Sequence, residues 1–153
     1  MKRIEVKLSL AIVAPLLDVI RAVSSGLSER LAAPLSIDDL DPEFRDAWKA
    51  DLVASQSSDV RMLLGLFDEN FFAEGVIGLD ETNAEQVLRA CAAVRLRLRE
   101  KYLKGLGDDT LESSEIELEE LEEPVRKAFL CYLFLATLQE LIIQHLDATI
   151  LEG

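Results

Sequence analysis

The sequence predicts a mainly α-helical single domain over residues 1–153, a bundle of about five helices around a buried C-terminal helix, to which a small two-stranded β ribbon is added. The run from Ala128 to Leu138 is eleven residues long and carries no charge. It covers every side of a helix, and a helix that is apolar all round is buried all round. Elsewhere, apolar residues mostly recur at helical spacing, and the length of 153 residues is typical of one domain.

The N-terminal residues predict a strand followed by a helix. Apolar and charged residues alternate over residues 4–8, which is the pattern of a short half-buried strand. Ser9 is a suitable cap for the next helix. Within that helix, Pro15 predicts a kink or a later start and Gly26 a break, and Pro34 predicts its end.

Two helices are expected next. Asp41 and Pro42 suit the N-cap and the first position of the first helix. Residues 55–58 indicate a turn between the two, and Gly75 suits the end of the second. The residues predicted to face the core are Phe44, Ala47, Trp48 and Leu52 in the first helix and Val60, Leu63, Leu64, Phe67 and Phe71 in the second.

The apolar segment 75–80 predicts a second strand, which pairs with residues 3–8. A long helix then begins at Asp80 or Thr82 and runs to Lys104, and its predicted inward residues are Val87, Cys91, Val94, Leu98 and Tyr102.

Residues 108–123 hold nine acids and no base, which predicts an exposed acidic loop or a short polar helix before Pro124 starts the C-terminal helix. The glutamates predicted to face a protein partner are Glu115, Glu117, Glu119, Glu120, Glu122 and Glu123.

Net charge excludes several classes of function. The chain has 16 basic and 29 acidic residues, a net charge of −13. A field of this sign repels nucleic acids and anionic lipids, so direct nucleic-acid contact is not expected. The apolar C-terminal run is shorter than the ~20 residues of a membrane span, so no membrane association is expected. Asp18 and Arg21 stand where a signal peptide would be cleaved, and the two cysteines form no disulfide framework, so a cytoplasmic protein is expected.

No catalytic, cofactor-binding or metal site is predicted. His145 is the only histidine, so a catalytic triad would need it, and no partner for it can be named. It is interpreted as a residue near a helix C-terminus, where the dipole favours it. A di-iron bundle needs two Glu-x-x-His pairs, which one histidine cannot supply. The cations from Arg89 to Lys104 would suit a nucleic acid, but neutralisation by the acidic run or by a partner is preferred.

Two pairs of residues are candidates for tertiary contact. Cys91 and Cys131 would meet if their helices pack together; a reversible disulfide is the functional interpretation, and two small core residues are the preferred one. Arg95 shares a helix face with predicted core residues, and Glu140 lies among apolar residues of the C-terminal helix. The two are predicted to form a buried or half-buried ion pair, because each charge alone would be costly in the core.

Several short pieces together resemble a known family: residues 4–9, Asp41-Pro42-Glu43-Phe44 with Trp48, Phe71-Phe72, Leu88-Arg89-Ala90 with Val94-Arg95-Leu96, and Leu138-Gln139-Glu140 with Leu146. The chain resembles a bacterial family of domains of unknown function, number twenty-seventeen of its series. Some members are described as oxidative-stress transcriptional regulators that sense through a nearby cysteine pair. Cys91 and Cys131 are far apart in sequence and depart from that pattern.

The sequence is compatible with three functions. The first is a cytoplasmic regulatory or protein-interaction domain without enzymatic activity, which binds an unidentified protein and no cofactor. The second, implied by the resemblance, is a transcriptional regulator acting through DNA or transcription factors. The third is a small enzyme with an unrecognised site. The hydrophobic content of 50% also predicts a homodimer, because apolar surface would remain for a second copy.

Overall fold

The computed structural model of the protein describes residues 3–27, 31–32, 41–106 and 118–146. Within these ranges it is mainly helical with one small sheet, which confirms the predicted fold class. The elements are β1 (Arg3–Lys7), α1 (Leu10–Leu27), α2 (Pro42–Gly65), α3 (Glu69–Glu74), β2 (Val76–Asp80), α4 (Ala84–Tyr102) and α5 (Glu123–His145), with a 3₁₀ turn at Leu118–Glu120 before α5.

The predicted ribbon is present. β1 and β2 pair antiparallel, with Arg3 opposite Asp80 and Lys7 opposite Val76. Because side chains alternate along a strand, Ile77 and Leu79 point into the core while the charged residues of β1 stay exposed. Gly75 joins α3 to this ribbon.

Gly75 ends α3 in the left-handed conformation, with φ 72°, and its carbonyl accepts a hydrogen bond from the Leu8 amide at 2.7 Å. A Cβ at this position would lie 2.8 Å from the Leu8 carbonyl oxygen. Both the backbone conformation and the available space therefore favour glycine.

Helix α4 lies at the centre of the bundle. It packs extensively against α2 on one side and α5 on the other, and it also contacts α1. Val87, Cys91, Val94 and Leu98 of α4 have no exposed surface, as their spacing predicted, whereas Tyr102 is only half-buried.

The C-terminal helix α5 is buried along one face. Phe129, Leu135 and Leu138 are buried there, but within the same run Phe134 is half-buried and Thr137 is exposed. The expectation that the run 128–138 is buried on every side is therefore not met.

Helix α2 departs most from the sequence-based expectations. Asp41 caps it and Pro42 starts it, as predicted. However, α2 continues through residues 55–58, so the predicted turn is wrong. The Gln56 side chain donates to the Leu27 carbonyl at 2.9 Å and accepts from the Ala32 amide at 3.0 Å, so side-chain contacts with the end of α1 support the helix there.

Within the described ranges, two helices, α1 and α5, are long and apolar enough to span a membrane by length and composition alone. The core helices of soluble proteins pass the same test, as do signal sequences, which lie near the N-terminus as α1 does. In this structure both helices contribute buried residues to one shared core and pack against each other. Helix α1 begins at Leu10 and contains Pro15, so the later start that Pro15 suggested does not occur.

Candidate functional site

The two cysteines lie in the core where α4 meets α5. Cys91 and Cys131 are both free and fully buried. Burial raises the pKa of Cys91 to about 12; Arg95 opposes this shift, and the proximity of Cys131 adds to it. Burial also raises the pKa of Cys131 to about 12. Because the thiolate is the reactive form, this environment disfavours reaction at both thiols and favours the interpretation as small core residues.

Arg95 and Glu140 do not form the predicted ion pair. Glu140 is exposed, and Arg95 donates instead to the neighbouring Gln139, with Nη1 2.6 Å from Oε1. The Gln139 amide nitrogen donates in turn to the Leu88 carbonyl at 3.1 Å. The prediction is wrong by one position on α5, and one residue turns a helical side chain by about 100°. The neutral Gln139 amide thus accepts a hydrogen bond from Arg95 and donates one to a backbone carbonyl of α4.

Arg95 also stacks on an aromatic ring. Its guanidinium carbon lies 4.3 Å from the centre of the Tyr132 ring, a cation–π contact within α4–α5 packing. Its Nε is buried without a hydrogen-bond partner among the described residues. Arg95 therefore holds α4 against α5 through Gln139 and Tyr132.

A second polar contact, absent from the sequence-based expectations, joins α2 to α4. Asp59 is buried, and Arg89 donates two hydrogen bonds to its carboxylate, from Nε at 3.0 Å and from Nη2 at 3.1 Å. Arg89 also reaches Glu85 at 2.8 Å, and Gln86 donates to Asp59 at 3.4 Å. The hydrogen bond to Asp59 is the main cause of the raised pKa of Arg89. The 30-residue separation of Asp59 and Arg89 explains why no local pattern revealed the pair.

The acidic run is described only in its last part. Glu115 and Glu117 lie outside the described residues, as do residues 108–117 of the run 108–123 that was expected to be an exposed loop or a short polar helix. Glu119, Glu120, Glu122 and Glu123 are exposed at the start of α5. Their availability to a partner stays a prediction. His145 is exposed at the last position of α5.

A cleft of about 700 Å³ opens between the outer face of the ribbon and the α2–α3 corner. Arg3 and Arg61 line it together with the acids Glu5, Asp68 and Glu74. The Asp68 carboxylate caps α3 through the Phe71 amide at 3.2 Å. No ion pair within 4.0 Å joins these charges in the part of the chain that the structure describes. The cleft is thus lined by charges of both signs.

An exposed aromatic pair lies on the N-terminal half of α2. Phe44 is 60% exposed and Trp48 is 44% exposed, so the prediction that they face the core is wrong. Their rings meet edge to face with centroids 6.4 Å apart, beside a hollow of about 280 Å³ that Ala47 and Asp51 complete. The described core residues of α2 (Asp59, Val60 and Leu63) all come from its C-terminal half, which explains why this stripe is left uncovered.

Comparison with family models assigns the chain. Residues 16–146 match the model described as a domain of unknown function, DUF2017. The chain belongs to the DUF2017 family. The resemblance identified in the sequence is thereby confirmed as family membership. No match was found among curated proteins or among solved structures. The DUF2017 match contains all of α2, α4 and α5, and hence the aromatic pair and both polar contacts.

Proposed function

We propose that this DUF2017 protein is a cytoplasmic, non-enzymatic regulatory domain that acts by binding another protein through the N-terminal half of α2. The observation that carries the proposal is the exposed pair Phe44–Trp48. Phenylalanine and tryptophan are enriched in the buried centres of protein interfaces, and tryptophan is a frequent hot-spot residue. A partner side chain would fill the adjoining hollow beside Ala47.

The charge of the protein favours a basic partner. The chain carries a net charge of −13, and around the aromatic pair the exposed acids Glu43, Asp46 and Asp51 outnumber the bases Arg45 and Lys49. The exposed glutamates at the start of α5 add to the same field. Such a field accelerates the approach of a basic protein and repels an acidic one. We therefore propose a basic amphipathic segment as the occupant, with apolar side chains against Phe44 and Trp48.

Self-association is the second proposal for the same surface. Exposed aromatic side chains would also suit a homodimer, as the apolar content of the chain predicts. Two copies would have to overcome the repulsion between their net charges of −13. This repulsion favours a basic partner over a second copy.

A transcriptional regulator that contacts DNA receives less support. Of the cations on α4, Arg89 binds Asp59 and Glu85, and Arg95 lies in the contact with α5. These two side chains are engaged within the bundle. Regulation through a basic protein of the transcription apparatus is compatible with the proposed docking surface.

Affinity capture with matched variants tests the proposed function. The bait is the full chain, compared with a Phe44→Ser/Trp48→Ser variant and with Ile143→Ser, which changes an exposed apolar residue on α5. We expect one basic protein to be retained by the wild type and by Ile143→Ser and lost from the double variant. Binding of that purified protein should weaken as salt increases. Retention of the same proteins by the double variant would contradict the proposal.

Light scattering separates the two occupants. A particle of 17.0 kDa at tens of micromolar excludes the homodimer. A particle of twice that mass, which the double variant reduces to 17.0 kDa, would assign the aromatic pair to a second copy and overturn the basic-partner proposal.

A further inference from the structure

Among the described residues, one buried hydroxyl has no hydrogen-bond partner. Ser24 on α1 is only 7% exposed, and its Oγ makes no hydrogen bond to any described residue. Its neighbour Ser25 behaves differently, since its hydroxyl donates to the Ala22 carbonyl at 2.9 Å. A buried hydroxyl without a partner costs free energy, and such groups are rare enough in native proteins to require an explanation.

Ser24 lines a cleft between α1 and α2. The cleft has a volume of about 400 Å³, within the range of small-molecule sites. Most of its wall area is apolar and includes Leu27 from α1 and Val60 and Leu64 from α2, while Ser25 and Ser57 also line it. An apolar cleft with one unsatisfied polar group is the arrangement by which proteins orient an apolar ligand that carries a single polar end.

Two arginines border the same cleft. Arg21 comes from α1 and Arg61 from α2, and both are exposed. Neither makes an ion pair or a side-chain hydrogen bond with the residues that the structure describes, whereas Arg89 holds two carboxylates. In a chain with 29 acids and 16 bases, two unpaired arginines beside one cleft form a local positive site in a negative surface.

We propose that the α1–α2 cleft binds a small apolar carboxylate, of the class of a medium-chain fatty acid. Arg21 and Arg61 would hold the carboxylate through charge-assisted hydrogen bonds. The Ser24 Oγ lies beneath the surface of the cleft, so rotation about its Cα–Cβ bond would turn the hydroxyl towards the same carboxylate and give it a partner. The hydrocarbon body would lie against Leu27, Val60 and Leu64, where apolar burial stabilises it.

The composition of the walls decides between ligand classes. An inorganic phosphate would leave the apolar walls unused, and a long peptide would exceed the volume. An uncharged apolar molecule would leave the two arginines unpaired. This site is separate from Phe44 and Trp48, so the inference stands or falls independently of the proposed docking surface.

Titration of the full-length protein with sodium octanoate tests the site, with octanol as the uncharged control. Calorimetry measures affinity, and amide chemical shifts in NMR spectra locate the binding. We expect octanoate to bind at least about tenfold more tightly than octanol, because charge-assisted hydrogen bonds are the stronger kind. The largest shifts should fall on residues 21–27 and 57–64.

Three variants assign the contacts. Arg21→Gln/Arg61→Gln should weaken octanoate binding about tenfold or more while leaving octanol binding unchanged. Ser24→Ala should weaken octanoate binding severalfold, and its thermal midpoint should equal or exceed that of the wild type, because an unsatisfied hydroxyl is removed. Lys49→Gln, which removes an exposed cation elsewhere on α2, should change neither affinity.

Four results would overturn the inference. The first is no octanoate binding at millimolar concentration, the result expected if an acid of this chain already neutralises the arginines. The second is equal affinity for octanoate and octanol. The third is unchanged octanoate affinity in the double arginine variant, and the fourth is a set of shifts centred on Phe44 and Trp48.

Discussion

The two halves of α2 belong to one continuous helix and meet opposite environments. The N-terminal half presents Phe44 and Trp48 to solvent, while the C-terminal half buries an aspartate, Asp59, beside Val60 and Leu63. Residue type alone would have assigned these environments the other way round. The contrast shows that position relative to the central helix α4 decides burial in this bundle, and that a buried charge is tolerated where a partner is fixed.

The largest effect is expected from core truncation in the C-terminal half. Leu63 has no exposed surface, so Leu63→Ala should lower the free energy of unfolding by about 2–5 kcal/mol through lost burial and a cavity. Trp48→Ala, although it removes a larger side chain, should cost no more than about 1 kcal/mol because the ring is exposed. Urea denaturation of both variants measures the difference. Equal costs would mean that the N-terminal half is covered in solution.

The buried aspartate gives the next largest effect. Asp59→Ala removes the acceptor of two Arg89 hydrogen bonds and should destabilise the protein by about 1–3 kcal/mol. The value lies below that of a fully buried pair because the Arg89 side chain is half exposed and solvent screens its charge. The control is Glu85→Ala, which removes the exposed partner of the same arginine and should cost less than about 0.5 kcal/mol. An equal loss in both variants would show that burial of Asp59 is unimportant.

Local signals made part of this fold predictable. The Asp41-Pro42 start of α2, the Gly75 end of α3 and the alternation over residues 4–8 each depend on neighbouring residues, and all three are confirmed. The exposure of Phe44 was not predictable, because it depends on where other helices pack. The same holds for the α1–α2 cleft, whose walls come from residues about 40 positions apart along the chain.

The free energy of unfolding should fall at high pH because of two buried thiols in the core. The exposed N-terminal half of α2 contains no cysteine and should make no such contribution. The pKa values of Cys91 and Cys131 are raised from 9.0 to about 12 by burial, so the folded state keeps both protons while the unfolded state loses them. The buried, protonated thiols therefore contribute fully to the free energy of unfolding below pH 9. This contribution is lost as the pH rises towards 12. At pH 10, above the pKa of the unfolded thiols, the loss is on the order of 1 kcal/mol per thiol.

Urea denaturation at pH 8 and pH 10 measures this loss. A Cys91→Ala/Cys131→Ala variant should show a smaller difference between the free energies of unfolding at the two pH values.

Thiol labelling at pH 8 should require unfolding of the protein. It should therefore be faster in Leu63→Ala than in Trp48→Ala. Rapid labelling of the native protein would show that the thiols are reactive and would revive the redox interpretation.

The smallest effect is expected at two adjacent residues of α5, Gln139 and Glu140. As in the two halves of α2, one of them is engaged in the bundle and the other is exposed. Gln139 bridges Arg95 and the Leu88 carbonyl, so Gln139→Ala should cost about 1–2 kcal/mol by leaving both without their partner. Glu140 is exposed, and Glu140→Ala should cost less than about 0.5 kcal/mol.

Gln139→Glu sharpens the test, because it places a carboxylate next to Arg95, where an ion pair was expected. It should retain the contact with Arg95 but lose the donor to Leu88, so its stability should lie between those of Gln139→Ala and the wild type. A larger loss in Glu140→Ala than in Gln139→Ala would restore Glu140 as the partner of Arg95 in solution.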